Sequence, residues 1–104
     1  MEDIKKQVWK YNLNVEMGEN KITMPYAAEN LQVGVDQSHP ENYRALSLWV
    51  MVNPEAQQVE RTFLVVGTGF PLPNNKIMKY IGTVVTKPFA WHVFEMFEMF
   101  SKGD

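Results

Sequence analysis

The chain has 104 residues, a formal net charge of −2 and no cysteine. At this length one domain with one thin core is expected, and a near-neutral balance without a basic stripe excludes a nucleic-acid polymer as partner. Hydrophobic residues at 45% and aromatic residues at 12% exclude disorder, and without cysteines there are neither disulfides nor thiolate chemistry, which suits a reducing cytoplasm.

The N-terminus, Met1-Glu2-Asp3-Ile4-Lys5-Lys6, is charged and lacks the apolar centre of a signal peptide. No apolar run is long enough to span a membrane, so a cytoplasmic protein is expected. From Gln7 to Val15, Trp9, Tyr11, Leu13 and Val15 alternate with Lys10, Asn12 and Asn14. Period two predicts a strand with one buried face. Met17-Gly18-Glu19-Asn20 supplies turn chemistry, and Ile22 and Met24 alternate with Lys21 and Thr23 until Pro25. These first two strands are read as a hairpin. A third strand is predicted over Glu29 to Asp36, with Leu31, Val33 and Val35 on one face.

The polar segment Gln37 to Tyr43, which includes Pro40, reads as an exposed loop. Ala45 to Val52 is apolar on both faces, the pattern of a central strand or of one whose outer face meets another subunit. Asn53-Pro54-Glu55-Ala56 has a helix cap followed by Pro and room for about one turn. A fifth strand is expected over Glu60 to Val66, then a loop from Thr68 to Lys76 with two Pro and two Asn. A sixth strand covers Ile77 to Val85, bent at Gly82. Lys87-Pro88 turns the chain into a seventh, from Phe89 through Trp91 and Val93. The pattern predicts an all-β domain, mainly antiparallel: a small sandwich or barrel of about seven strands with at most one helical turn. Residues 95–104 read as an apolar tail, because Phe94, Phe97 and Phe100 with Met96 and Met99 fit neither the strand nor the helix period.

Gly67-Thr68-Gly69 ends the fifth strand and is echoed by Gly82-Thr83. A dinucleotide fingerprint needs a helix directly after its glycines, and Phe70-Pro71-Leu72-Pro73 excludes one. Two readings stay open: a tight turn needing positive φ, or a rim that contacts a ligand. Arg44 and Arg61 are the only arginines; each suits either an ion pair or a bound phosphate or carboxylate. Of the two histidines, His39 lies in the polar loop, where Asp36, His39 and Glu41 form no metal site. His92, between Trp91 and Val93, is either a hydrogen-bonded structural residue or a ligand contact. No Ser or Thr has an obvious base beside it, and Glu95 and Glu98 read as polar breaks in an apolar stretch. No enzyme, cofactor or metal is expected. Trp49, Met51, Phe94, Met96, Phe97 and Phe100 are the candidate interface residues of a homo-oligomer.

Trp9-Lys10-Tyr11, Met24-Pro25, Leu48-Trp49 with Val52-Asn53, Arg61-Thr62-Phe63, Gly67-Thr68-Gly69, Tyr80-Ile81-Gly82-Thr83 and Trp91-His92-Val93-Phe94-Glu95 together resemble a family of small proteins encoded mainly in phage and prophage genomes. The resemblance runs from about Val8 to Glu95. Here Phe70 stands where a His is expected after the Gly-Thr-Gly turn, and the chain beyond Glu95 looks like an addition to the pattern. The family brings a context and no activity. In that context, a domain without catalytic residues is expected to bind and sequester a small anionic, nucleotide-type ligand, as an oligomeric sponge for a defence signal. The candidate ligand residues are Arg61, Gly67, Thr68, Gly69, Tyr80, Thr83, Trp91 and His92. The alternative is an interaction module that docks on a host or phage protein through its aromatic and Met-rich surface.

Overall fold

Alternation of Trp9, Tyr11 and Leu13 with polar neighbours becomes the first strand of a two-layer fold. The structure, a computed structural model, describes residues 5–39, 41–42 and 44–98. Among the described residues there are seven strands: β1 (Gln7–Asn14), β2 (Glu19–Pro25), β3 (Glu29–Val35), β4 (Ala45–Val52), β5 (Gln58–Gly67), β6 (Lys76–Thr86) and β7 (Phe89–Glu98). All neighbours are antiparallel, in one sheet ordered β1-β4-β3 and another ordered β2-β5-β7-β6. The expected all-β class is the one found, in its sandwich form.

The core lies between the sheets. Leu46, Leu48, Val50 and Val52 on β4 face Phe63 and Val65 on β5 and Val93 on β7, and Leu13, Met24, Val33 and Val84 complete the layer. The outer face of β4 is less covered than its inner one: Trp49 and Met51 are half-buried. Trp49 lies over Gly34, where a Cβ would come within 3.2 Å of its ring.

β1 and β2 do not form the expected hairpin. They lie in different sheets, paired with β4 and β5 respectively. A 3₁₀ turn over Val15–Met17, capped by the Asn14 side chain and left through Gly18 at φ 70, carries the chain across. Asn20 replaces the missing hairpin partner. Its Oδ1 accepts from the Asn14 amide at 2.9 Å and its Nδ2 donates to the Asn14 carbonyl at 3.1 Å. Splitting the strands lets both apolar faces reach the core, with Leu13 and Met24 at 2% and 0% exposure.

Three further expectations are corrected. Asn53 starts a turn, not a helix: its Oδ1 accepts from the Glu55 amide and its carbonyl from the Ala56 amide before β5 begins. A bulge between Asn30 and Gln32 turns Leu31 outward and puts Asn30 on the inner face with Val33 and Val35. The chain from Phe94 to Glu98 is regular strand; Val93 and Glu95 point inward while His92, Phe94 and Met96 point outward. Residues 99–104, with Met99 and Phe100, lie outside the described residues.

Candidate functional site

β5 ends in the Gly-Thr-Gly turn. The Phe70 amide donates to the Gly67 carbonyl at 3.2 Å, and Gly69 has φ +91, a conformation that favours glycine. The turn therefore has the positive φ that the sequence suggested. Gly67 itself is held by sterics, since a Cβ there would meet Phe70 at 3.1 Å and Trp91 at 3.3 Å.

On the outer face of the four-stranded sheet, His92 lies beside Val66 on one side and Thr83 on the other, with Phe94 between Leu64 and Tyr80. Four of the predicted residues meet there in one chain of hydrogen bonds. Thr68 Oγ1 is 2.7 Å from His92 Nε2, Thr83 Oγ1 is 3.0 Å from His92 Nδ1, and Tyr80 Oη is 2.6 Å from Thr83 Oγ1. Tyr80 and Thr83 are three residues apart, so in a regular strand they would face opposite ways. The register shift between Tyr80 and Gly82 accommodates Ile81 as an extra residue and turns both hydroxyls outward. Gly82 is needed at that bend, because a Cβ there would sit 2.9 Å from Val33 Cγ2 in the other sheet.

The chain has two possible polarities, and it can present either. With Tyr80 donating to Thr83, Thr83 to Nδ1 and Nε2–H to Thr68, the Thr68 hydroxyl proton is left to donate outward. In the reverse order Thr68 donates to Nε2, and the Tyr80 proton is left over. Beside Thr68 and His92 lies a shallow cleft of about 160 Å³, walled by Val66, Gly69, Phe70, Leu72 and Phe94. Phe70 is 70% exposed and Leu72 47%. On the other side of Phe70, an apolar cleft of about 340 Å³ lies against Val15, Pro73 and Trp91.

Arg61 does not join this face. Its Nε and Nη2 donate to the two Glu95 carboxylate oxygens at 2.6 and 2.7 Å, and Nη1 donates to the Ala28 carbonyl at 2.6 Å. Asn30 Nδ2 adds a bond to Glu95 Oε1 at 2.9 Å. Arg61 thus takes the ion-pair reading, on the inner side of the sheet. Glu95, read as a break in an apolar stretch, is its buried counter-ion at 2% exposure. Trp91 also faces inward: its indole N–H donates to Thr86 Oγ1 and its ring stacks on Phe89 at 5.3 Å.

The candidate interface residues are split in the same way. Phe94 and Met96 share the outer face with His92, Phe97 is 42% exposed on the opposite side of β7, and Trp49 and Met51 lie on the other sheet. Arg44 pairs with Glu16, beside a polar cleft of about 490 Å³ that also involves Asn14, Asn20 and Asp36. Among the described residues no group of three or more His, Cys, Asp or Glu could hold a metal ion, and no helix is long and apolar enough to cross a membrane.

Sequence reasoning missed the Thr68–His92 contact, having found no hydroxyl with a base at hand. A Thr against an imidazole is the first contact of a nucleophile and its base. Here, however, the other ring nitrogen meets a neutral hydroxyl, and Glu95, the carboxylate nearest in sequence, points through the opposite face to Arg61. Neither a curated protein nor a solved structure matches the chain. A family model described as "Domain of unknown function (DUF7352)" matches residues 4–101, and the chain belongs to that family.

Proposed function

We propose that the protein is a non-enzymatic binding domain that captures a small nucleotide-type ligand on the outer face of its four-stranded sheet. The observation that carries this reading is the Thr68–His92–Thr83–Tyr80 chain, which opens onto a cleft walled by Phe70 and Phe94. Aromatic walls with a few convergent polar groups are the usual make-up of a small-ligand site. With Arg61 committed to Glu95, the binding contacts left to a single chain are hydroxyls, imidazole and the backbone of the turn. In the phage setting that the sequence resemblance implies, capture without turnover would amount to sequestration of a defence signal, and a homo-oligomer would close the open side of the cleft.

Thermal shift and isothermal titration with cyclic dinucleotides and ADP-ribose-type molecules test this. A ligand at a hundredfold excess over Kd adds about 2.7 kcal/mol of stability, a rise in Tm that is easily read. No shift and no heat with any of them would sink the reading. The exposure of Phe70 and Leu72 favours a second one, docking of a protein on the same rim. Pull-down with wild-type protein and with Phe70→Ala discriminates, since a sponge needs no protein partner.

A further inference from the structure

We infer that the His92 cleft reads an uncharged heteroaromatic ring, and that phosphate groups contribute nothing to binding at a single chain. This rests on the small-ligand reading above and names the part of the ligand that is recognised.

The charge distribution comes first. None of the residues that line the cleft is Lys, Arg, Asp or Glu. Both oxygens of Glu95 and all three donor nitrogens of Arg61 are engaged on the opposite side of the sheet. Lys21 and Lys76 line a different cleft, with Glu19 and Glu98 among them, and Lys76 donates to Glu98 at 2.5 Å. A phosphate in the His92 cleft would meet no fixed cation, and anion recognition is strong when an Arg fork or a Lys provides one.

The walls come second. Phe94 is braced by an edge contact with Tyr80, ring centroids 5.6 Å apart. Phe70 is held against Gly67, because the missing side chain there gives its ring room. Both present apolar surface to the cleft, and a flat ring covers such surface at small entropic cost. The volume of about 160 Å³ suits one ring system and not a whole nucleotide.

The polar edge comes third. Because the Thr68–His92–Thr83–Tyr80 chain can reverse, Thr68 offers a donor or an acceptor according to what the ring presents. Nucleobases carry donors and acceptors side by side on one edge, so a reversible partner matches them, whereas a phosphate presents acceptors only.

The test is titration calorimetry of the full chain with ribonucleosides and with their monophosphates, each at low and at high salt. The expected result is a nucleoside that binds within about twofold of its monophosphate, with affinity insensitive to salt. Phe70→Ala, which removes an exposed ring, is expected to weaken it about tenfold, the scale of one base–aromatic stack, with Tm unchanged. Thr68→Val gives a second readout, narrowing the preference among bases. Monophosphates that bind where nucleosides do not, with affinity falling as salt rises, would overturn the inference and leave the small-ligand reading standing. Wild-type affinity in Phe70→Ala would also overturn it. If cyclic dinucleotides, ADP-ribose-type molecules and nucleosides all fail to bind, both readings fall.

Discussion

Glu95 receives two parallel hydrogen bonds from Arg61 at 2.6 and 2.7 Å, and this pair joins β7 to β5 inside the sandwich. Asn30 extends it to the other sheet, and the Ala28 carbonyl takes the third Arg61 donor. Glu95 is buried and Arg61 partly so, with side chains 3% and 19% exposed, so what matters is the loss of one partner. A buried charge left alone costs about 3–5 kcal/mol, whereas apolar replacement of both partners is often close to neutral. Glu95→Leu and Arg61→Met are each expected to lose about that much in urea unfolding. The double variant Arg61→Met/Glu95→Leu should lose less than either single one. A double variant as unstable as the sum of the two would contradict this account.

Gly82 of β6 packs against Val33 of the other sheet. An added Cβ would lie 2.9 Å from Val33 Cγ2, below the distance such carbons adopt. Gly82→Ala is therefore expected to cost about 1–3 kcal/mol by overpacking. Val33→Ala removes the obstructing methyl at its own cavity cost. Combined, the two should cost less than their sum, a coupling that a double-mutant cycle measures directly. Additivity would mean that Gly82 serves the bulge alone and not the contact with Val33.

Strand identity was legible wherever period two ran through apolar residues, as in Trp9-Tyr11-Leu13 or on the inner face of β4. Pairing was not. Nothing local in Met17-Gly18 distinguishes a hairpin from a step between sheets; Asn20, by bonding both backbone groups of Asn14, settles it. The bulge at Leu31 was hidden, since it shifts the alternation by one residue without changing its composition, whereas Gly82 did mark the bend of β6, though not that Ile81 is the extra residue. At the candidate site, Thr68, Tyr80, Thr83 and His92 were all singled out from the sequence. Their meeting depends on a register 24 residues long-range for Thr68 and His92, and on a bulge. Arg61 and Trp91 were grouped with them for their chemistry, a guanidinium for phosphate and an indole face for a base, and alternation sends both to the other face.

Asp36 is buried at the end of β3. The Ser38 amide hydrogen bond holds its carboxyl below the ordinary range against the opposing effect of burial, aided by the His39 hydrogen bond and by the charges of Lys10 and His39. A carboxylate whose folded pKa is depressed contributes stability in full above its unfolded value of about 3.9. That contribution is lost as pH falls from there through the folded pKa. Asp36→Asn should therefore unfold at lower urea than wild type near neutral pH. The gap should close as pH is lowered below about 4. A gap that stays constant down to the acid limit would show that Asp36 acts only by shape.

Thr83 separates binding from stability. Its hydroxyl stands between Tyr80 and His92 in an exposed chain, so water can replace either bond once it is gone. Thr83→Val is nearly isosteric, and its stability cost is expected to stay under about 1 kcal/mol, the low end for one hydrogen bond. The imidazole loses its partner at Nδ1, and the relay that lets Thr68 change polarity ends at His92. The side-chain nitrogen shifts of His92 in NMR should then move away from those of wild type, and the range of ring edges accepted should narrow even though Val85 and Val84 keep β6 in register. Tyr80→Phe, one bond further out, is expected to move those shifts less. Equal changes in both variants, or a large loss of stability in Thr83→Val, would place the role of Thr83 in packing and not in relaying a proton.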